Sequence, residues 1–263
     1  MHPRLAIELA RRGFRRHATY RAATVAGIFT NTIFGLIRGS ILLAALAAAD
    51  GPIGGYDRSR VLAYVWLGQA LIGPIAIFRW TEIAERIRTG ELASDLSRPA
   101  DFQGWWLFDD LGRGLYQIVA RGAIQFAIGA LLVDLLMPDA PWRWAALAFS
   151  VLLAVVISFG LRFLANLWVF WTLDARGPLM LYTLLGVSLS GFVVPLDFFP
   201  SWLAAVQRAL PFAGMVQGPI DVYLGTRSAL SVLAMQVLWA VALLVAGRAL
   251  LVVATRRLVV QGG

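Results

Sequence analysis

Six stretches of this chain, at about residues 22–48, 60–79, 111–136, 144–172, 178–195 and 230–253, are apolar over a length suited to crossing a bilayer as a helix. Hydrocarbon offers backbone groups no hydrogen bonds, so a segment entering it must satisfy its own, as a helix does. Composition agrees: 59% of the residues are hydrophobic, 14% are charged and mean hydropathy is +0.73. A soluble domain carries about a quarter charged residues. The expected fold class is all-α, a polytopic membrane protein of six transmembrane helices forming one domain over 1–263. No internal repeat is evident, and the basic, amphipathic N-terminus does not read as a cleavable signal peptide.

All 23 basic residues are arginine, and there is no lysine or cysteine. A Walker A loop, which needs a lysine on the nucleotide phosphates, is therefore excluded. So are Schiff-base and thiolate chemistry. The net charge of +8 does not point to nucleic acid, because the arginines follow the spans. Fourteen fall in the N-terminal arm, the second and fourth connections and the C-terminal end, against five in the opposite loops. The positive-inside rule then predicts both termini in the cytoplasm. Residues 1–21 read as an interfacial helix, with Leu5, Ile7, Leu9 and Phe14 for apolar contacts and arginines for anionic headgroups. A solvated basic tail is the alternative.

The fifth expected span is interrupted by Gly191-Phe-Val-Val-Pro-Leu-Asp-Phe-Phe-Pro-Ser-Trp202. Each proline removes a donor and disfavours helix at the preceding residue. Irregular backbone at membrane depth is tolerated only inside protein or beside a water-filled cavity. Gly191, Phe192, Pro195, Phe198, Phe199, Pro200 and Trp202 are therefore candidate gate residues on the extracellular side. An interfacial aromatic belt is the alternative. Beyond the break, 195–229 reads as short re-entrant helices dipping into the outer leaflet, with Ser201 as the expected N-cap.

No Asp, Glu or His is expected inside a span, which argues against proton relays and intramembrane hydrolysis. Sodium coupling through backbone carbonyls stays open. Arg121 and Arg162 are expected to snorkel or to hydrogen-bond between helices. Gly35-Leu-Ile-Arg-Gly39 has a small-xxx-small spacing that lets a neighbouring helix or a second subunit approach. Asn31, Gly35, Arg38 and Gly39 are accordingly candidates for a pathway or a subunit interface.

The cytoplasmic connection, 80–104, places Glu82, Glu85 and Arg86 on one helical face and Ile83, Ile87 and Leu92 elsewhere. A short charged helix between spans suits a cytosolic partner; a charged loop without one is the alternative. Asp197, beside the break, is expected to cap the next helix rather than face a pathway.

The segment Ile87-Arg-Thr-Gly-Glu-Leu92…Leu96-Ser-Arg-Pro99 resembles the first cytoplasmic loop, with its coupling helix, of the ABC-2 permease family. The run Ser190-Gly-Phe-Val-Val-Pro195…Pro200-Ser-Trp202, with Leu210-Pro-Phe212 and Tyr223-Leu-Gly225, is similar to that family's fifth span and re-entrant helices. Six spans with both termini inside also fit, and the style of the loops looks closest to bacterial drug- and xenobiotic-exporter-like permeases. The resemblance implies a non-catalytic permease of an ATP-binding cassette exporter in a bacterial inner membrane, moving a drug-like or lipid-like molecule outward. It implies two copies of a separate ATPase that bind the ATP and Mg, a second permease, identical or homologous, and membrane lipids around both. This chain would hold no cofactor or metal. Glu82, Glu85, Arg86, Arg88, Gly90, Glu91 and Arg98 would contact the ATPase, and Gly191–Trp202 would close the outer end of the path. A sodium-coupled secondary transporter and a membrane enzyme acting on lipid headgroups are the competing readings.

Overall fold

The computed structural model of the protein describes residues 2–78, 81–96, 101–172 and 174–256. Arg98, one of the expected ATPase contacts, lies outside them. Among the described residues the chain is helical without strands, apart from one isolated bridge between Ile53 and Tyr56.

Helix α1 (Pro3–Ala18) begins with a proline at its first turn and ends with Arg15, Arg16 and His17, the charge order that the helix dipole favours. It is followed by α2 (Arg21–Ala48), then α3 (Arg58–Ile75), which Asp57 caps by accepting from the Arg60 amide at 2.9 Å. The cytoplasmic connection folds as two short helices, α4 (Glu82–Arg88) and α5 (Glu91–Leu96), with Gly90 between them at φ +75°.

Next comes one long rod: α6 (Phe102–Gln117), a π-turn at Ile118–Gly122, and α7 (Ala123–Leu132). It starts nine residues before the expected span at 111, because Asp101 caps it by accepting from the Gly104 amide at 2.8 Å. Helices α8 (Pro141–Leu167) and α9 (Val169–Thr172) form the next rod, and α10 (Arg176–Leu189) stops short of the expected end at 195. Two short helices follow, α11 (Ser201–Ala209) and α12 (Gln217–Leu224), before α13 (Ala229–Thr255). The expected cap of α11 is displaced by one residue: Pro200 occupies the N-cap position and Ser201 is the first helical residue.

Among the described residues, four helical segments are long and apolar enough to cross a membrane: Arg21–Ala48, Phe102–Leu132, Pro141–Thr172 and Ala229–Thr255. Helix α3 has 18 residues, 13 of them buried by other helices, and α10 has only 14. At about 1.5 Å per residue α10 rises about 21 Å, less than the roughly 30 Å of hydrocarbon.

The main core gathers α3 against α8, α12 and α13 around Tyr56, Trp66, Ile157 and Met215. A second core, near α4 and α5, seats Ile83 and Leu92 among Phe102, Trp106, Phe159 and Phe163. The connecting segment is therefore bolted to the feet of α6 and α8.

Candidate functional site

Breaking α10 at Leu189 frees backbone groups that must find partners within the protein. The Gly191 carbonyl accepts from the Tyr64 hydroxyl at 2.5 Å and the Val193 carbonyl from Arg38 Nε at 2.9 Å. Gln217 donates its amide to the Ser190 carbonyl at 3.0 Å, and its Oε1 accepts from the Leu196 amide at 3.2 Å. Gly191 takes φ +74°, and a Cβ there would lie 2.6 Å from Gln217 Oε1, so only glycine fits. Arg38 also donates to the Tyr64 hydroxyl at 2.7 Å, and its guanidinium lies 4.9 and 5.3 Å from the Tyr64 and Phe192 ring centres. One arginine of α2 and one tyrosine of α3 thus hold the break.

The seven candidate gate residues do not form one plug. Phe192 faces a cavity and meets Phe78 edge-on at 6.0 Å, whereas Phe198 turns the other way onto Tyr56 at 5.9 Å. Trp202 is 68% exposed on the outside of α11. Asp197 neither caps α11 nor faces the cavity: Arg208 donates to its carboxylate at 2.6 and 2.7 Å and to Asp221 at 2.6 Å.

The cavity, about 870 Å³, is walled by α2, α3, the middle of the π-turn rod and the break. Asn31 and Arg38 line it. Gly35 and Gly39 do not: Gly35 lies against Trp66 and Gln69, and Gly39 against Leu62. The small-residue spacing therefore joins α2 to α3 within the chain.

At the other end, α1 crosses α6 closely. A Cβ on Gly13 would come within 2.0 Å of the Asp109 carbonyl, and one on Gly112 within 1.9 Å of the Ala10 carbonyl. Arg16 turns inward instead of toward headgroups, donating to Glu82 at 2.6 Å and to Asp109 at 3.1 Å. Burial disfavours its charge, but those carboxylates more than offset this and hold the guanidinium above its ordinary pKa. Burial also lowers His17, with help from the charges of Arg16 and Arg113 and against its bond to the Gly13 carbonyl.

Asp110 lies near the start of the Phe102–Leu132 rod, just ahead of the expected span at 111, and is 2% exposed. Arg113 binds it at 2.6 Å and Arg162 at 2.7 Å. Arg162 therefore does not snorkel; it pairs with Asp110. Arg113 also donates to the Gly73 and Pro74 carbonyls at 2.9 and 2.8 Å, closing the last turn of α3 that Pro74 and the left-handed Ala76 leave open.

The candidate coupling residues divide by direction. Glu82 is tied to Arg16, and Arg86 to Asp95 at 2.7 Å while lying over Trp106. The Ala84 amide donates to Asn166 of α8 at 2.9 Å. Glu85 and Arg88 pair with each other at 3.1 Å and are exposed, as is Glu91. An outward face of charge thus sits on an inward face of anchors.

Asn166, visible in the sequence only as a polar residue within a span, holds these arrangements together with Tyr64, Gln217, Asp109 and Asp110, and sequence reasoning passed over the last four. Gln217 is a lone amide in an apolar run, which is the one local signal any of them gives.

No curated protein matches the chain. The family described as ABC-2 family transporter protein matches residues 34–262, which run from within α2 through the α4–α5 connection and the break past the end of α13. Together with helices long and apolar enough to cross a membrane several times, this match means that the chain belongs to the ABC-2 family, as the multi-pass membrane subunit of an ABC transporter.

Proposed function

We propose that this chain is the permease half of an ATP-driven exporter in a bacterial inner membrane, with six spans and both termini in the cytoplasm. Two copies of a separate ATPase, carrying the ATP and Mg, dock beneath two permeases, the second identical or homologous. The α4–α5 pair is the docking element. Its exposed Glu85, Arg88 and Glu91 meet the ATPase, while Glu82, Arg86 and Ala84 pass the movement to α1, α6 and α8.

One observation carries this reading. The break at Gly191 and the α4–α5 pair are each fixed by side chains from other helices, so rigid-body movement of those helices would carry each end with it. Alternating access, with substrate entering from the cytoplasm or inner leaflet, then needs no proton or sodium site in this chain. The 14-residue α10 supports a break lying inside the membrane, as an outer closure should.

The test is isolation of the chain from its native membrane, with the ATPase expected to co-purify. Reversing the exposed pair (Glu85→Arg with Arg88→Glu) should then uncouple ATP hydrolysis from transport without lowering thermal stability. Unchanged transport-coupled hydrolysis would sink the docking assignment.

A further inference from the structure

The cavity beside the break has an unusual charge balance. Arg38, Arg113 and Arg121 line it, and no carboxylate is among its described lining residues. Arg113 is bonded to Asp110, an acid it shares with Arg162, which leaves Arg38 and Arg121 as the lining arginines without a carboxylate partner among the described residues. Nε of Arg121 is buried without a hydrogen-bond partner, in the π-turn, a distortion that often marks functional positions. Its guanidinium rests on Gly27, where a Cβ would lie 2.0 Å from Nη2.

Arg38 commits Nε and Nη2 to the break and leaves Nη1 buried and unpaired. Gln69 and Gln117, on the same walls, each have an unpaired buried Oε1. A guanidinium does not give up its proton, so it cannot escape a dry site by neutralising as a lysine does. A half-buried cation with no counter-charge beside it is stabilised by an anion that enters the cavity. The rest of the lining is apolar, including Phe34, Ile37 and Phe78.

We propose that this cavity binds an anionic amphiphile, one carboxylate, sulfate or phosphate group on an apolar body, with the anion held by Arg121. Arg38 is a second cationic station. Gly27 and Arg38 are eleven residues apart on α2, so the two stations stand about 16 Å apart along that helix. An anion leaving Arg121 toward the break meets Arg38 next, and Arg38 is the residue that holds the break. The identification of the occupant as cargo rests on the transport reading above; the binding itself rests on the cavity's chemistry.

Binding is tested with the full-length protein in phosphatidylcholine nanodiscs, titrated with dansylundecanoic acid, its methyl ester and the matched primary amine. The carboxylate should bind at least about tenfold more tightly than either analogue, the scale of one charge-assisted hydrogen bond. Arg121→Gln should abolish that preference and Arg121→Lys should restore most of it. Gly27→Val, which keeps the charge but displaces the guanidinium, should weaken carboxylate binding several-fold. Loss of probe on adding phosphatidylglycerol would identify a membrane lipid as the natural anion, and retention would identify a free amphiphile; each supports an anion site. Equal binding of the three probes, or an unchanged preference in folded Arg121→Gln, would overturn it. Carboxylate binding without ATP-dependent uptake into inverted vesicles would overturn the cargo reading alone.

Discussion

Arg162 and Arg121 stand on neighbouring rods of one bundle, yet their surroundings are opposite. Arg162 is fully buried and finds Asp110 at 2.7 Å, with Ser158 at 3.2 Å. Arg121 is half-buried against a cavity and has no carboxylate beside it on that cavity's wall. The contrast separates two uses of a cation in a membrane protein. Paired with an acid, it fixes helices to one another; left unpaired beside a cavity, it waits for a ligand. The ends of the molecule repeat the first use, through Arg16 on Glu82 and Asp109 and Arg208 on Asp197 and Asp221.

If that division is correct, the largest loss comes from Asp110→Asn, which leaves Arg113 and Arg162 buried without a counter-charge. Removing one partner of a buried pair costs about 3–5 kcal/mol. Little folded protein should reach the membrane, measured by fluorescence-detected size exclusion, and a normal yield with an unchanged melting temperature would break the comparison.

Next in size is Gly112→Ala, whose Cβ would strike the Ala10 carbonyl and push α1 off α6. Overpacking costs about 1–3 kcal/mol. It should speed protease cleavage within 3–18 while leaving the outer break protected.

Tyr64→Phe removes the donor to the Gly191 carbonyl, at about 1–3 kcal/mol for the orphaned buried group. Hydrogen exchange should rise at 190–196 and stay unchanged at 82–96. A rise at both ends would show that the two regions are not independently fixed.

The smallest change in stability is expected for Arg121→Gln, within about 0.5 kcal/mol of the parent or slightly stabilising, because it deletes an unpaired cation. A large destabilisation would place Arg121 with Arg162 among the structural arginines.

Much of the helical layout was legible. The apolar runs at 22–48, 144–172 and 230–253 lie within three residues of helices ending or starting at Arg21, Ala48, Pro141, Thr172, Ala229 and Thr255. The break at Gly191 was legible too, since glycine and proline act on their own backbone. What failed were boundaries set by tertiary contacts: the rod at Phe102 starts early because Asp101 caps it, and α10 ends early because Tyr64, Arg38 and Gln217 donate to the carbonyls of its broken end. In the α4–α5 segment the charges were visible, but not that Glu82 and Arg86 face inward.

By itself, the sequence determined that this chain is helical, crosses a membrane and breaks at Gly191. Each of those follows from local terms, namely hydrophobicity per residue and the backbone freedom of glycine and proline. Only the tertiary structure decided which arginine meets which acid. Arg162 reaches Asp110 across 52 residues and Arg16 reaches Glu82 across 66, and Arg121 reaches a cavity instead. Charge identity is written in the sequence, but the energy of a charge depends on distance and on the medium between the groups, and packing sets both.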